Sequence, residues 1–222
     1  MHVTLDGQPM VIARPTLAAA LAEGVTQARA RGRVIIEVKG DGAMLTDEAL
    51  STPSDSEGQF GLVQLISADP RTLVKVTLGD GAEALRALLD EQHRVAELIH
   101  ADKGQEAIAG LQAIFQTWQT VKDLVERGGS LLETDLGGVQ LSGLPEGETF
   151  SQASSRLLTH LRRVKTALGS QDWAALADVL EYDLCEEAQA WEKLLDALAD
   201  HVGSLPAEGA GPRGQEGGAQ RA

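Results

Sequence analysis

The chain has 222 residues, and 43% of them are hydrophobic, so it can build a packed core in one large domain or two small ones. The formal net charge of -14 comes from 33 acidic and 19 basic residues. It disfavours binding to nucleic acid or to an anionic membrane surface unless basic residues cluster on one face. Aromatic residues make up only 3% of the chain, which favours helices over an all-β sandwich.

The single cysteine, Cys185, excludes an intramolecular disulfide and a cysteine-rich zinc site. Its acidic neighbours predict a raised thiol pKa and an unreactive sulfur. No uninterrupted apolar run is long enough to span a bilayer, and the first residues lack the basic-then-apolar order of a signal peptide. The expected location is therefore the cytoplasm.

Residues 1–68 carry the signals of a small mixed domain. A β-hairpin is predicted by two short apolar runs, 2–5 and 9–12, on either side of the turn dipeptide Asp6-Gly7. Thr16 begins a helical pattern that ends at Arg31-Gly32, and two further strands are predicted at 34–38 and 60–66.

This order of strand, strand, helix, strand, strand resembles the ubiquitin-like β-grasp, in which a small sheet wraps one helix. The chain lacks the diglycine tail that carrier and modifier members of that group use, because the sheet runs directly into more protein. The resemblance therefore implies binding through a face or an edge of the sheet.

Residues 70–81 fit two structures. Val74, Val76 and Leu78 alternate with polar residues as in a strand. Asp69-Pro70 is instead a good helix start, and one apolar seam continues from Val74 without a change of phase to Ile99. The continuous seam predicts a helix from Pro70 to about His100, weakened at its two glycines.

Three more helices are predicted, at 105–127, 149–168 and 171–201, with Gly128-Gly129 ending the first of them. The loop 130–148 between them is expected to close one end of the bundle or to act as a lid. The predicted fold class is thus α+β. It comprises a β-grasp-like domain (1–68), an antiparallel four-helix bundle (69–202) and a disordered tail (203–222).

The last predicted helix carries the most regular apolar seam of the chain. Its members are Trp173, Ala177, Leu180, Leu184, Glu187, Trp191, Leu194 and Leu198. Glu187 interrupts the seam and has two interpretations, a buried functional carboxylate or a side chain that reaches water. The sequence favours the second, since Ala188 can make the core contact in its place.

Two segments of this helix, Gln171-Asp172-Trp173 and Leu180-Glu181-Tyr182-Asp183-Leu184, resemble the C-terminal helix of an uncharacterised family of bacterial proteins. Those proteins have a small β-grasp-like N-terminal domain followed by a helical bundle. The resemblance implies this architecture, but it carries no activity and no functional residue over to this chain.

No nucleophile elbow, phosphate-binding loop or dinucleotide fingerprint occurs in the sequence. Glu97 and His100 have the spacing that di-iron bundles use, but the second Glu-x-x-His that such a site needs is missing, so neither a metal nor a cofactor is expected. A short basic run, formed by Arg156, Arg162, Arg163 and Lys165, is interpreted as a solvated helix face, and no nucleic-acid partner is expected.

The last helix also carries the densest polar cluster, which consists of Asp178, Glu181, Tyr182, Asp183, Glu186 and Glu187. Its acids are interpreted as a solvated face. Tyr182, the only tyrosine, either anchors a partner or forms a hydrogen bond across the bundle.

The sequence therefore predicts a bacterial, non-enzymatic protein–protein interaction module, an adaptor or assembly factor. Its partner is another protein of unknown identity, and the candidate binding residues are Tyr182, Trp191 and Glu187. Two alternatives stay open. One is a helical bundle resembling secretion or flagellar export chaperones, and the other is a metal-binding enzyme that uses Glu97, His100, Asp178 and Glu181. A homodimer is the assembly that a purely structural role would predict.

Overall fold

The structure of the chain is a computed structural model, which describes residues 1–139 and 149–205. The chain has a mixed α+β architecture with a small N-terminal sheet followed by long helices. It divides into two compact units, whose described parts are residues 1–70 for the first and residues 71–139 and 149–205 for the second. No helix in the described part of the chain is both long enough and apolar enough to cross a membrane.

The first unit is built on a five-stranded sheet. Its strands are β1 (His2–Leu5), β2 (Gln8–Pro9), β3 (Val34–Gly40), β4 (Ala43–Met44) and β5 (Leu62–Ala68). They lie in the order β2-β1-β5-β3-β4, in which β1 and β5 are parallel and the other neighbours are antiparallel. The sequence predicted four of these strands and missed β4, because two residues are too few to show an alternating pattern.

Helix α1 (Leu17–Ala30) packs on one face of this sheet. Its first turn is capped as predicted by Thr16, whose hydroxyl oxygen accepts a hydrogen bond of 3.2 Å from the amide of Ala19. Gly24 permits the close approach of helix and sheet, since a Cβ atom at this position would lie 2.2 Å from Cδ1 of Leu65 on β5. A short second helix, α2 (Asp47–Ser51), lies between β4 and β5.

Both edge strands of the sheet are only two residues long. The predicted second strand is shorter than the sequence suggested, and Val11 beyond it is 89% exposed. Because β4 pairs only with Lys39 and Gly40, residues 34–38 of β3 have no strand partner on their outer side among the described residues.

Asp6 ties the β1–β2 turn to the end of β5. Its carboxylate accepts hydrogen bonds from the amide and the hydroxyl of Ser67, at 2.7 and 2.6 Å. Arg33 donates to the same hydroxyl at 2.7 Å and lies 3.7 Å from the Asp6 carboxylate. The hydrogen bond from the Ser67 hydroxyl, followed by that from the Ser67 amide, lowers the pKa of Asp6 below its ordinary value.

We expect the Asp6→Asn variant to weaken the first unit at pH 7 by about 1 kcal/mol, because an amide cannot accept both hydrogen bonds. Asparagine tolerates the positive φ of 50° that the chain adopts at this position. Since folding lowers the pKa of Asp6, its stabilisation is present above the unfolded pKa and is lost as the pH falls through the folded pKa. The difference between variant and wild type should therefore shrink as the pH falls from 6 to 3.

Hydrogen exchange of the β5 amides measures this effect, because all three tryptophans lie in the second unit and fluorescence would not report on the sheet. The exposed Glu57→Gln variant is the control and should exchange like the wild type. Equal β5 protection in Asp6→Asn and wild type at pH 6 would contradict the assigned role of Asp6.

Four long helical segments form the second unit. These are α3 (Pro70–His100), α4 (Gly104–Leu131), α5 (Phe150–Ser170) and a continuous last helix over residues 173–204. The last helix consists of α6 (Trp173–Asp178), a π-helical turn (Val179–Asp183) and α7 (Leu184–Ser204). All four segments contribute buried side chains to one hydrophobic core.

Residues 70–81 are helical, which confirms the interpretation based on the continuous seam. Val74 and Leu78 are buried, whereas Val76 between them is 55% exposed. The strand-like alternation of this segment therefore had no structural meaning.

Helix α4 extends through Gly128 and Gly129 to Leu131, so the prediction that this glycine pair ends the helix is wrong. The two glycines serve close packing instead. A Cβ atom at Gly129 would lie 2.8 Å from the carbonyl oxygen of Thr134, where the chain folds back into a 3-10 turn (Leu136–Gly138). Leu136 of this turn is buried in the core, and residues 140–148 of the predicted closing loop lie outside the described residues.

The neighbouring helices of this unit run antiparallel. Arg86 of α3 contacts Glu192 of α7, and Lys75, nearer the start of α3, contacts Asp200, nearer the end of α7. The last helix is also antiparallel to α5, since Arg156 contacts Glu187 and the later Arg163 contacts the earlier Asp183. Gly81 of α3 also lies against Leu124, near the end of α4.

Gln92 is a buried amide in the middle of the α3 seam. Its exposed fraction is 0%, and neither its Oε1 nor its Nε2 atom has a hydrogen-bond partner in the described part of the chain. A buried amide without partners loses its hydration and gains nothing in return, so it destabilises the folded state.

Gln92→Leu should therefore raise the free energy of unfolding by about 1–3 kcal/mol. Urea unfolding followed by tryptophan fluorescence measures the change, because Trp118 and Trp191 lie in this core. Gln112→Leu, at an exposed position of α4, is the matched control and should change the stability by less than about 0.5 kcal/mol. A destabilised Gln92→Leu variant would mean that the amide is satisfied in solution.

Candidate functional site

A buried polar network between α5 and the last helix is the most distinctive chemical feature of the second unit. At its centre is Glu187 of α7, which is only 3% exposed. The expectation that this side chain reaches water is therefore wrong. The opposing helix α5 has four basic residues and no acid, so it supplies the charge that allows a carboxylate to remain buried.

Two donors hold the Glu187 carboxylate. Arg156 of α5 donates from Nε to Oε2 at 2.7 Å, and Trp191, one turn along α7, donates from its indole Nε1 to Oε1 at 2.8 Å. Each carboxylate oxygen thus has its own donor, which is the condition under which a buried charge is tolerated.

A second carboxylate extends the network by one turn towards the π-helical segment. Asp183 accepts a hydrogen bond from Arg163 of α5. His160 lies between the two acids, with Nδ1 3.9 Å from Oδ2 of Asp183 and Nε2 3.8 Å from Oε2 of Glu187. Along this contact, the two acids of the last helix alternate with the Arg156, His160 and Arg163 side chains of α5.

Aromatic rings enclose the inner end of the network. The Trp191 ring meets Trp118 of α4 edge to face, with centroids 5.5 Å apart, and Phe150 of α5 at 5.0 Å. Such pairs stabilise a core beyond the area that they bury. They also fix the indole that donates to Glu187, so packing and polar contact depend on one residue.

The π-helical turn Val179–Asp183 changes the hydrogen-bond pattern just before this network. The amide of Leu184 donates to the carbonyl of Val179, five residues earlier, and the thiol of Cys185 donates to the carbonyl of Leu180 at 3.3 Å. Single π-helical turns inside α-helices are rare and often coincide with functional sites.

The opposite side of the last helix faces α3. Cys185 Sγ lies 3.9 Å from Nε2 of His93, and Glu181 lies 3.8 Å from the imidazole of His100. Burial, followed by the nearby Glu181 carboxylate, raises the pKa of the Cys185 thiol to about 11. The prediction of a raised thiol pKa is confirmed, and the sulfur is a structural donor rather than a nucleophile.

The structure divides the predicted acidic cluster into three classes. Glu187 is buried, Glu181 and Asp183 are half-buried in contacts with neighbouring helices, and Asp178, Tyr182 and Glu186 are exposed. The interpretation as a solvated face therefore holds only for the last group.

The three predicted partner-binding residues have different surroundings. Tyr182 is 61% exposed, whereas Trp191 is 0% exposed and Glu187 lies in the buried network. Of the three, only Tyr182 has a solvent-exposed side chain, and the other two are buried in the core of the second unit. Their role in binding stays a prediction.

The weak metal candidates are not assembled into a ligand set. His100 faces Glu181, and no group of three or more potential ligands, drawn from His, Cys, Asp and Glu, forms a metal-sized cluster within residues 1–139 and 149–205. Glu97 and His100 therefore gain no support as metal ligands.

Two further expectations for hydrophobic positions need correction. Trp173, which the sequence placed on the seam, is 38% exposed and lies in the first turn of the last helix near Gly104. The helical spacing of Ile108, Leu111, Phe115 and Trp118 also predicts a buried seam on α4, but Ile108 is 46% exposed. Both lie near the ends of their helices, where fewer neighbours are available to cover a side chain.

A shallow groove of about 530 Å³ runs between α3 and α4 on the outer surface of this unit. Many of its lining side chains are short, but Gln116, Leu124 and the carboxylate of Asp80 also line it. Its lining residues come from about two turns of α3 and three turns of α4, so the groove extends along both helices.

A second hollow, of about 560 Å³, lies at the C-terminal end of α4. Two of its polar side chains have internal roles. Asp135 caps the 3-10 turn by accepting from the Gly137 amide at 2.9 Å, and Ser151 donates to the Gly137 carbonyl at 3.1 Å. We therefore assign these groups to the structure of the turn.

Sequence reasoning missed the network itself, although one signal was available. Helix α5 contains Arg156, Arg162, Arg163 and Lys165 but no Asp or Glu, while the next helix along the chain is strongly acidic. A short connection makes two such helices antiparallel neighbours, and their opposite charges predict ion pairs across the contact. Two of the four basic residues, Arg156 and Arg163, are used in this way.

No protein-family model, curated protein or solved structure matches the chain. The resemblance to a bacterial family therefore stays a prediction, and the candidate functions rest on the residues themselves.

We expect Arg156→Leu to lower the free energy of unfolding by about 3 kcal/mol, because it leaves a buried carboxylate with a single donor. Urea unfolding followed by tryptophan fluorescence reports the change directly in the Trp191 environment. Arg162→Leu, on an exposed position of the same helix, is the matched control and should have little effect.

The double variant Arg156→Leu, Glu187→Leu should recover much of the lost stability, since a buried pair can often be replaced by apolar residues of similar volume. Additive losses in the two single variants, with no recovery in the double variant, would show that the two side chains are not energetically coupled.

Proposed function

We propose that this protein is a protein–protein interaction module, an adaptor or assembly factor, and that it binds its partner through the outer face of the last helix. The observation that carries this proposal is Tyr182, which is 61% exposed on the π-helical turn. A tyrosine has a large apolar ring and a polar tip, and it loses little conformational entropy when it is immobilised in an interface.

The charge around Tyr182 indicates the chemistry of the partner. Asp178 and Glu186, about one turn before and after it, are exposed. The adjacent Asp183 pairs with Arg163, so it is less available to a partner. A surface with an aromatic anchor between two carboxylates favours a partner segment that carries Lys or Arg around an apolar pocket.

The two units fit such a role as a platform. The strand order and the parallel β1–β5 pair support the β-grasp interpretation of the first unit. The antiparallel helix contacts and the shared core support the interpretation of the second unit as a four-helix bundle. In this proposal the buried network holds the last helix in register, so that Tyr182 is presented on a rigid surface.

A resemblance to export chaperones is the second candidate function, and the groove between α3 and α4 favours it. In that case an amphipathic segment of a client protein would lie along the groove, against Ala84 and Ala113. The two candidates use different surfaces of the same unit, which allows one experiment to separate them.

The test is quantitative capture of partners from a lysate of the native cells by the tagged chain, at moderate salt. We expect one stoichiometric partner with the wild type, lost with Tyr182→Ala and retained with Ile108→Ala, which removes a similarly exposed hydrophobic side chain from α4. Removal of a buried aromatic hot spot weakens binding by 2 kcal/mol or more, about 30-fold in Kd.

A third variant, Ala113→Trp, fills the groove with a large side chain. Loss of the partner with Ala113→Trp and its retention with Tyr182→Ala would replace the adaptor proposal by the chaperone proposal. Retention of the partner with both variants, or the absence of any stoichiometric partner, would overturn binding through either surface.

A further inference from the structure

The outer side of helix α5 carries two cations beside an exposed leucine. Leu158, Arg162 and Lys165 are all exposed, and the exposed fraction of Leu158 is 47%. Their spacing of four and three residues places them on one stripe of the helix. Helix α5 contains no acid, and neither Arg162 nor Lys165 forms an ion pair within residues 1–139 and 149–205. We call these three residues the basic stripe.

The basic stripe lies on the side of α5 that faces away from the last helix. Arg156 and Arg163 make the contacts with that helix. Leu158 and Lys165 each follow one of these arginines by two residues, which is a rotation of about 200° around an α-helix. The last helix of the same chain is therefore on the wrong side of α5 to pair with the stripe.

The exposed side of the last helix has the complementary composition. Tyr182 is 61% exposed and lies between the exposed residues Asp178 and Glu186. Neither of these carboxylates forms an ion pair in the described part of the chain. We call these three residues the Tyr182 face. Each of the two surfaces thus combines one large apolar side chain with two unpaired charges, and the charges are opposite in sign.

The two surfaces also match in length. At the rise of an α-helix, the basic stripe extends over about 10 Å and the Tyr182 face over about 12 Å. When the Tyr182 ring of one copy packs against Leu158 and the methylene stem of Arg162 of another, one of its flanking carboxylates lies at the level of Lys165. The Arg162 guanidinium then reaches the ring, which is a favourable cation–π arrangement.

The charge of the whole chain does not prevent such a contact. Each copy carries a net charge of -14. At the ionic strength of a cell, exposed charges more than about 8 Å apart are largely screened from each other, whereas carboxylates and cations in direct contact still attract. Two Tyr182 faces, or two basic stripes, would place like charges together, so the favourable contact joins unlike surfaces.

We propose that the Tyr182 face of one copy of this chain binds the basic stripe of a second copy, so that the copies associate head to tail. This inference rests on the proposed function, because it uses the same exposed face and identifies the partner as the chain itself. A dimer formed in this way keeps one free surface of each kind, so further copies can add to it.

Sedimentation velocity of the purified chain at about 0.15 M salt, over a wide range of concentrations, tests the association. We expect the mean mass of the wild type to rise with concentration beyond that of a dimer. Tyr182→Ala, and separately the double variant Arg162→Glu, Lys165→Glu, should each weaken the association about 30-fold. The double variant Lys103→Glu, Arg127→Glu reverses two other exposed cations and should associate like the wild type.

An equimolar mixture of the two weakened variants separates this geometry from other modes of association. Tyr182→Ala keeps an intact basic stripe, and Arg162→Glu, Lys165→Glu keeps an intact Tyr182 face. One copy of each should therefore form a 1:1 dimer that does not grow further, at concentrations where each variant alone is monomeric. A mixture that stays monomeric, a wild type that is monomeric at all concentrations, or undiminished association of either variant alone would overturn the proposal.

The capture experiment described above tells a failure of this inference from a failure of the proposed function. A monomeric wild type, together with loss of a different captured protein in Tyr182→Ala, would overturn the contact between copies and leave the Tyr182 face as a binding site. Capture that is independent of Tyr182, from a wild type that is monomeric, would overturn both.

Discussion

The second unit depends on a single buried charge. Glu187 would destabilise the core if it lacked partners, since an isolated carboxylate in an apolar interior is strongly unfavourable. Arg156 and Trp191 satisfy it from two directions, one across the helix contact and one along the same helix. A sliding of α5 along the last helix by one turn would break the ion pair and leave a buried charge behind. The network therefore specifies one register among several that hydrophobic packing alone would accept, which is the best-supported role of buried polar groups.

The same helix faces α3 with a different set of contacts. Glu192 pairs with Arg86, and Cys185 meets His93. The acidic last helix is thus held between basic or imidazole-bearing partners on both sides, while its outer face keeps Tyr182 exposed. Many of the acids that make the chain strongly negative lie on this one helix. The apolar seam is similar in every helix of the unit, so it cannot by itself determine which helices pack against each other. Charge complementarity between neighbouring helices supplies this selectivity.

The sequence predicted a large part of the architecture. The strongly periodic segments were located within a few residues. The helix at 70–81 was predicted correctly because its apolar seam continues in phase into the rest of α3, although the same residues also alternate as in a strand. The errors arose where tertiary contacts override local signals. Gly128 and Gly129 were interpreted as a helix end because glycine ends helices in isolation, yet here they allow the chain to fold back closely. Glu187 was expected to reach water because most glutamates do, and its donors lie on another helix at a distance in sequence. The π-helical turn contains no glycine or proline, so its one-residue insertion left no local signature.

The chain's only cysteine provides a chemical probe of the second unit. Its sulfur is buried, donates to a carbonyl beside the π-helical turn and has a pKa of about 11, so very little thiolate exists at neutral pH. An alkylating reagent therefore meets a reactive sulfur only in molecules whose last helix has separated from α3. The rate of Cys185 modification, compared with that of an unfolded chain, converts directly into the free energy of this local opening. The native sequence thus contains a single-site reporter of its own fluctuations, with no label to introduce and no second thiol to confuse the signal.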